Sequence, residues 1–162
     1  MNDVLGRFMG YILAFFVFLL CIILIIVDYQ TSIEDQVGQQ VTSFVNECRE
    51  TAVIDAQAYS NLLARVTVYG HYNMRLKIEQ EKVYSQTING RVRTRTGYET
   101  VSNDLFNDYM MNGINFYLKT GDRISIEVKE GEGNFATRMK KAITFAEQSK
   151  NIIINYGGTV GE

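Results

Sequence analysis

Hydrophobic positions change their rhythm twice along the chain. Residues 9–27 (MGYILAFFVFLLCIILIIV) hold no charged side chain and are apolar on every helical face. As a helix, 8–27 would rise about 30 Å, the thickness of a bilayer core. A helix apolar all round belongs in lipid or deep inside a protein. The rest of the chain is too short to enclose it, so lipid is the expected environment. Phe8, Tyr11, Leu13, Phe15, Phe18, Leu20, Ile23 and Ile26 are then its anchor residues. From Tyr29 the pattern becomes amphipathic. Tyr29, Ile33, Val37, Val41, Phe44, Val45 and Cys48 recur every three or four positions, opposite Gln30, Glu34, Asp35, Gln39, Gln40, Ser43 and Asn46. No proline interrupts the run, and Gly38 weakens a helix by roughly 1 kcal/mol without ending it. One long helix from about residue 3 to 49 is predicted, half in lipid and half amphipathic. The stripe Ile33, Val37, Val41, Phe44 and Cys48 needs a cover, either the chain's own domain or another subunit.

Beyond it the rhythm alternates between helix and strand. Asp55 caps a second helix with Tyr59, Leu62, Leu63 and Val66 at helical spacing, and Gly70 ends it. Tyr72, Met74, Leu76 and Ile78 alternate with Asn73, Arg75, Lys77 and Glu79, a strand with one buried face. Residues 83–88 and 91–96 flank Asn89-Gly90, a hairpin turn signal, although both faces are polar enough for a mobile loop. A short helix starts at Ser102 or Asn103, carries Leu105, Phe106, Tyr109 and Met110, and stops before Gly113. Ile124, Ile126 and Val128 mark another strand. Gly131 and Gly133 turn the chain into a helix capped by Asn134, with Phe135, Met139, Ala142, Ile143 and Ala146 on one face. Residues 152–156 form a last strand before a glycine-rich tail, 157–162. The fold class is α+β: a long N-terminal helix followed by a small, mainly antiparallel sheet packed with short helices. The chain divides into a short N-terminus and membrane helix (1–28), an amphipathic extension (29–50) and an α+β domain (51–162).

Composition sharpens this picture. The 162 residues are 46% apolar and 21% charged, with a net charge of −2. Outside 9–27 the chain is still too apolar to be disordered. Two cysteines exclude a disulfide scaffold, and a charge near zero gives no global pull toward nucleic acid or anionic lipid. A cleaved signal sequence would be shorter and end at a small-x-small site. Here the run ends in Ile26, Val27 and Asp28, so an uncleaved single-pass anchor is expected. Arg7 lies on the short side, while 28–47 holds Asp28, Glu34, Asp35 and Glu47 and no Lys or Arg. Cationic residues stay on the cytoplasmic side, which puts the N-terminus inside and the C-terminal domain outside. Cys21 and Cys48 then lie in different environments and do not pair. Cys48, on the apolar stripe, is expected to be buried.

Little here spells out a reaction, and no enzyme activity, cofactor or metal is expected. The one histidine, His71, has no ligating neighbours in sequence. Gly131-Glu132-Gly133 lacks the rest of a phosphate loop. Asp122, after Gly121, fits a turn aspartate bonding its own backbone better than a cation ligand. Arg91, Arg93 and Arg95 alternate, so on a strand they share a face, with Lys82 nearby. They either meet an anionic partner, such as lipid, cell-wall polymer, nucleic acid or an acidic subunit, or protect an edge strand from unwanted pairing. Tyr84 and Tyr98 are too few to argue for single-stranded nucleic acid.

The layout of short N-terminus, membrane helix, amphipathic continuation and small α+β head resembles type IV pilin-like proteins, the minor pilins and pseudopilins of tight-adherence pili and type II secretion. The resemblance covers roughly the first 50 residues and the make-up of the head, and it is architectural. It implies a membrane-anchored structural or accessory subunit of an envelope assembly, partnered by the bilayer and by other subunits through the amphipathic stripe. That family is processed after a glycine, usually with a glutamate five residues on. Gly6 and Gly10 place Tyr11 and Phe15 there, and neither is acidic. The resemblance therefore implies an accessory or minor subunit rather than the major fibre subunit. A single-pass binding or sensing module is the alternative reading.

Overall fold

The structure, a computed structural model, describes residues 2–70, 72–88, 91–131 and 152–161. His71, the Asn89-Gly90 turn and the helix expected after Asn134 lie outside them. Helix α1 (Asn2–Thr51) is continuous, as the unbroken apolar periodicity and lack of proline require. After it come β1 (Val53–Ile54), α2 (Ala56–Val68), β2 (Tyr72–Ile88), β3 (Arg91–Thr100), α3 (Asn103–Met111), β4 (Phe116–Tyr117), β5 (Arg123–Glu130) and β6 (Ile152–Thr159). The main sheet is antiparallel in the order β3-β2-β5-β6, and β1 and β4 form a separate two-stranded pair. The class is α+β.

The core lies between one face of the sheet and the C-terminal half of α1. Val37, Val41, Phe44, Val45 and Cys48 are buried together with Leu76, Ile78, Ile124, Ile126 and Val128 of the sheet. Thus the stripe is covered by the chain's own domain. This corrects the expectation that Val37, Val41, Phe44 and Cys48 form a packing face for other subunits; only Ile33 at its start is half-exposed. The physical reason is length: an amphipathic stripe next to a sheet with one apolar face is buried most cheaply in the same chain, with no loss of association entropy. By contrast, the large apolar side chains of 8–25 that were assigned as anchors remain exposed, including Phe8, Tyr11, Leu13, Phe15, Phe18 and Leu20. Ile23 and Ile26 are half-exposed.

Rings carry the core sideways. Phe44 meets Tyr59 of α2 at 6.1 Å, Tyr59 meets Phe106 of α3 at 5.2 Å, and Phe106 meets Phe116 of β4 at 6.0 Å. In α2 the Asp55 carboxylate accepts from the Ala58 N–H at 2.8 Å, the cap the sequence suggested. Tyr59, Leu62 and Val66 are buried, but Leu63 is exposed because the inward-facing stripe is one residue narrower than its spacing allowed.

Strand β6 shows why its glycines are where they are. It extends through Gly157, Gly158 and Thr159, where a tail was expected. Arg49 crosses the strand and donates from Nε to the Thr159 carbonyl at 2.9 Å. A Cβ on Gly158 would sit 2.6 Å from the Arg49 guanidinium carbon, so glycine admits the close approach of helix and strand. Tyr156 Oη donates to Asn46 Oδ1 at 3.0 Å, and Ile154 Cδ1 lies 3.7 Å from where a Gly38 Cβ would be. Positions 154, 156 and 159 therefore track 38, 46 and 49, and β6 runs alongside α1 in the same direction, away from the apolar half.

Two stability changes follow. Aspartate at Val41, fully buried in the core, should unfold the head rather than merely weaken assembly, at a cost of about 4 kcal/mol or more; loss of the cooperative thermal transition checks this. Ala52, just past α1, has φ 55, a left-handed conformation that disfavours a Cβ by about 1 kcal/mol. Ala52→Gly should accordingly stabilise the fold by about that amount, read as a higher urea midpoint.

Candidate functional site

Strand β2 does two jobs in sequence. Its first half, Tyr72 to Glu79, pairs with β5. Glu79 pairs with both β5 and β3, and from Gln80↔Glu99 out to Ile88↔Arg91 the strand pairs only with β3. Past Glu79 the sheet is thus a two-stranded arm about 30 Å long by strand rise. The stretch read as a hairpin or mobile loop is a regular ladder, continuous with the strand before it. Since β2 is parallel in direction to β6, the arm leaves the head at the end farthest from the apolar half of α1.

The register sorts the arm's side chains, because directly opposed residues share a face. One face carries Lys82, Tyr84, Gln86, Arg91, Arg93 and Arg95. The other carries the Val83–Thr96, Ser85–Thr94 and Thr87–Val92 pairs, uncharged beyond Glu81 at the root, which opposes Tyr98. The structure therefore brings Arg91, Arg93, Arg95 and Lys82 onto one face, all exposed. Nearer the root, Lys82 faces Glu99 at 3.7 Å. Among the described residues no carboxylate pairs with the three arginines. Tyr84 lies over Gly97, where a Cβ would come within 2.9 Å of the ring, so the glycine lets the ring cover the backbone.

The root of the arm is fixed by Asp122, 1% exposed. Its Oδ1 accepts from the Glu81 N–H at 2.9 Å and its Oδ2 from the Lys119 N–H at 2.8 Å. The second of these is the turn-aspartate bond expected from sequence; the first, to a strand forty-one residues away, is not visible in a local pattern. On the opposite face the Arg123 guanidinium lies 3.8 Å from the centre of the Tyr98 ring, a cation–π contact. At the base of the basic face opens a cleft of about 570 Å³, walled by Lys82 and Glu99 and by Leu105, Tyr109, Phe116 and Tyr117 of α3 and β4. Sequence reasoning missed this cleft, since α3 and β4 meet the arm only in three dimensions. Leu105 and Tyr117, apolar yet exposed, mark it in the structure, and no local sequence pattern does.

Elsewhere, chemistry is sparse. Among the described residues no group of His, Cys, Asp and Glu is placed to hold a metal. Cys48 is buried, and burial first, then the nearby Glu47 and Asp55 charges, push its thiol up to about 12. Such a thiol is protonated and inert at neutral pH. The geometry can present a cationic, extended surface with an aromatic-walled cleft behind it. It holds no nucleophile paired with a base among these residues. No known protein family, curated protein or solved structure matches this chain.

Removing the Asp122 carboxylate by Asp122→Ala leaves two backbone N–H groups without acceptors and should cost on the order of 3 kcal/mol. Asp122→Asn, which keeps one acceptor, should lose less, and thermal melts of both variants check the order. The raised Cys48 thiol also sets a pH dependence. Below about pH 9 folded and unfolded chains both hold the proton, so its contribution is fully present. As pH rises through 9 toward about 12 the unfolded chain ionises first and stability falls. The urea midpoint should decline over that range, and less so in Cys48→Val.

Proposed function

We propose that this chain is a single-pass, membrane-anchored structural or accessory subunit of an envelope assembly, of the pilin-like kind, with its N-terminus in the cytoplasm and its head outside. The observation that carries the reading is that anchor and head share one uninterrupted helix. The half from Gly6 is long and apolar enough to cross a membrane and is uncovered by the rest of the chain. The half ending at Thr51 is locked into the head's core through Val37, Val41, Phe44 and Cys48. No linker intervenes, so any force or displacement applied to the helix moves the head rigidly. That is a useful property in a subunit held by its neighbours, and of little use to a tethered ligand trap. With the stripe consumed internally, contacts to other subunits fall to the uncovered apolar half and to the head's surface. The aromatic-walled cleft at the arm's root favours the second reading, an anchored binding module.

The test uses Cys21, exposed on the apolar half. Oxidation of native membranes should join neighbouring chains through Cys21, Cys21→Ser should abolish the product, and buried Cys48 should not substitute for it. A membrane-impermeant maleimide should label Thr94→Cys on the arm in intact cells. An arm that is labelled only after lysis, or a Cys21 that never cross-links, would sink the reading.

A further inference from the structure

The arm and the collar of the helix just above its apolar half carry opposite charge at opposite ends of the molecule. From Asp28 to Cys48 the chain has Asp28, Glu34, Asp35 and Glu47 and no Lys or Arg. Asp28 and Asp35 are exposed. Seven residues apart, they lie on the same helix face about 10 Å from each other. Beside them Glu34, Asp35, Gly38, Gln39 and Ser43 line an open groove of about 620 Å³ against Ile154 of β6. The arm's arginines repeat every second residue, so Arg91 and Arg95 are about 13 Å apart. Two rows of like length and opposite sign are therefore present on one chain. They cannot meet within it. The arm leaves the end of the head near Arg49 and Thr159, whereas the groove sits at the level of Gly38 and Ile154.

We propose that the basic face of the arm docks on the acidic collar of a second copy of this chain. The contact joins two different surfaces, so it is head-to-tail and leaves an arm free at one end and a collar free at the other. Repetition builds an open chain of copies rather than a closed dimer. Two copies level with each other in one membrane hold their arms far above their collars, so docking requires one copy to be displaced along the helix axis. Electrostatic complementarity sets the register and partner choice of such a contact. The edge-protecting role of the three arginines in the unassembled chain is retained, since cationic side chains on β3 also deter strand pairing. This inference rests on the assembly reading and adds its contact.

The experiment measures self-association of the full chain in detergent by sedimentation, at low salt. Wild type should form concentration-dependent oligomers that dissociate as salt is raised. Reversing the arm (Arg91→Glu, Arg93→Glu, Arg95→Glu) should weaken association at least tenfold, as should reversing the collar (Asp28→Lys, Asp35→Lys). Each variant alone stays monomeric, and mixing the two should restore association between arm and collar. These exposed positions leave folding intact, which circular dichroism checks. In a Cys21→Ser background, Arg93→Cys on one chain and Asp35→Cys on another should form a mixed disulfide. Failure of the mixture to associate, or oligomers indifferent to arm reversal, overturns the proposal. So does a monomeric wild type whose arm instead binds heparin. Cys21 cross-links in native membranes, together with reversed arm and collar variants that fail to associate when mixed, would leave the assembly reading standing and remove this contact alone.

Discussion

Burial of one helical stripe under one sheet face organises this molecule. Val37, Val41, Val45 and Cys48 are nearly or fully removed from solvent against Ile124, Ile126 and Val128, and apolar burial of this kind is the dominant favourable term in folding. The same helix that would sit in lipid over its first half is, over its second half, the central element of the head. Its direction then dictates the direction of everything else. Strand β6 follows it through Ile154, Tyr156 and Thr159, β5 runs back, and β2 runs out again.

That chain of directions explains why the arm exists where it does. Strand β2 is long enough to pair twice, first with β5 and then with β3. Only the first pairing has helices behind it. An isolated two-stranded ribbon is marginal in water, and this one is held by its root: the Asp122 carboxylate on Glu81, and Arg123 over Tyr98. Buried carboxylates are costly unless hydrogen-bonded. Asp122 is retained because both of its oxygens are satisfied by backbone N–H groups, which ties the turn before β5 to the point where the arm departs.

Among the described residues the molecule is marked by its uncovered surfaces and not by a cluster of metal-binding side chains. With the stripe internal, the surfaces left uncovered among the described residues include the apolar half of α1, the arm and the cleft at the arm's base. The thiol in the head is shielded by burial, with its pKa pushed up. The cleft walled by Tyr109, Phe116 and Tyr117 is the place where a ligand-binding role would reside.

The sequence by itself determined the long helix, its division into an all-apolar and an amphipathic half, the Asp55 cap, the alternation in β2 and β5, and the shared face of Arg91, Arg93 and Arg95. All of these are local: they follow from side-chain period, capping chemistry and turn residues within a few positions. Only the tertiary structure decided which surface covers the stripe, because a periodic pattern states that a face must be buried and not by what. It likewise decided that Gly157 and Gly158 belong to a strand under Arg49, that Asp122 reaches Glu81, and that the arm points away from the apolar half of α1. Each depends on residues tens of positions apart in the chain, brought together by the one way the helix can lie on the sheet.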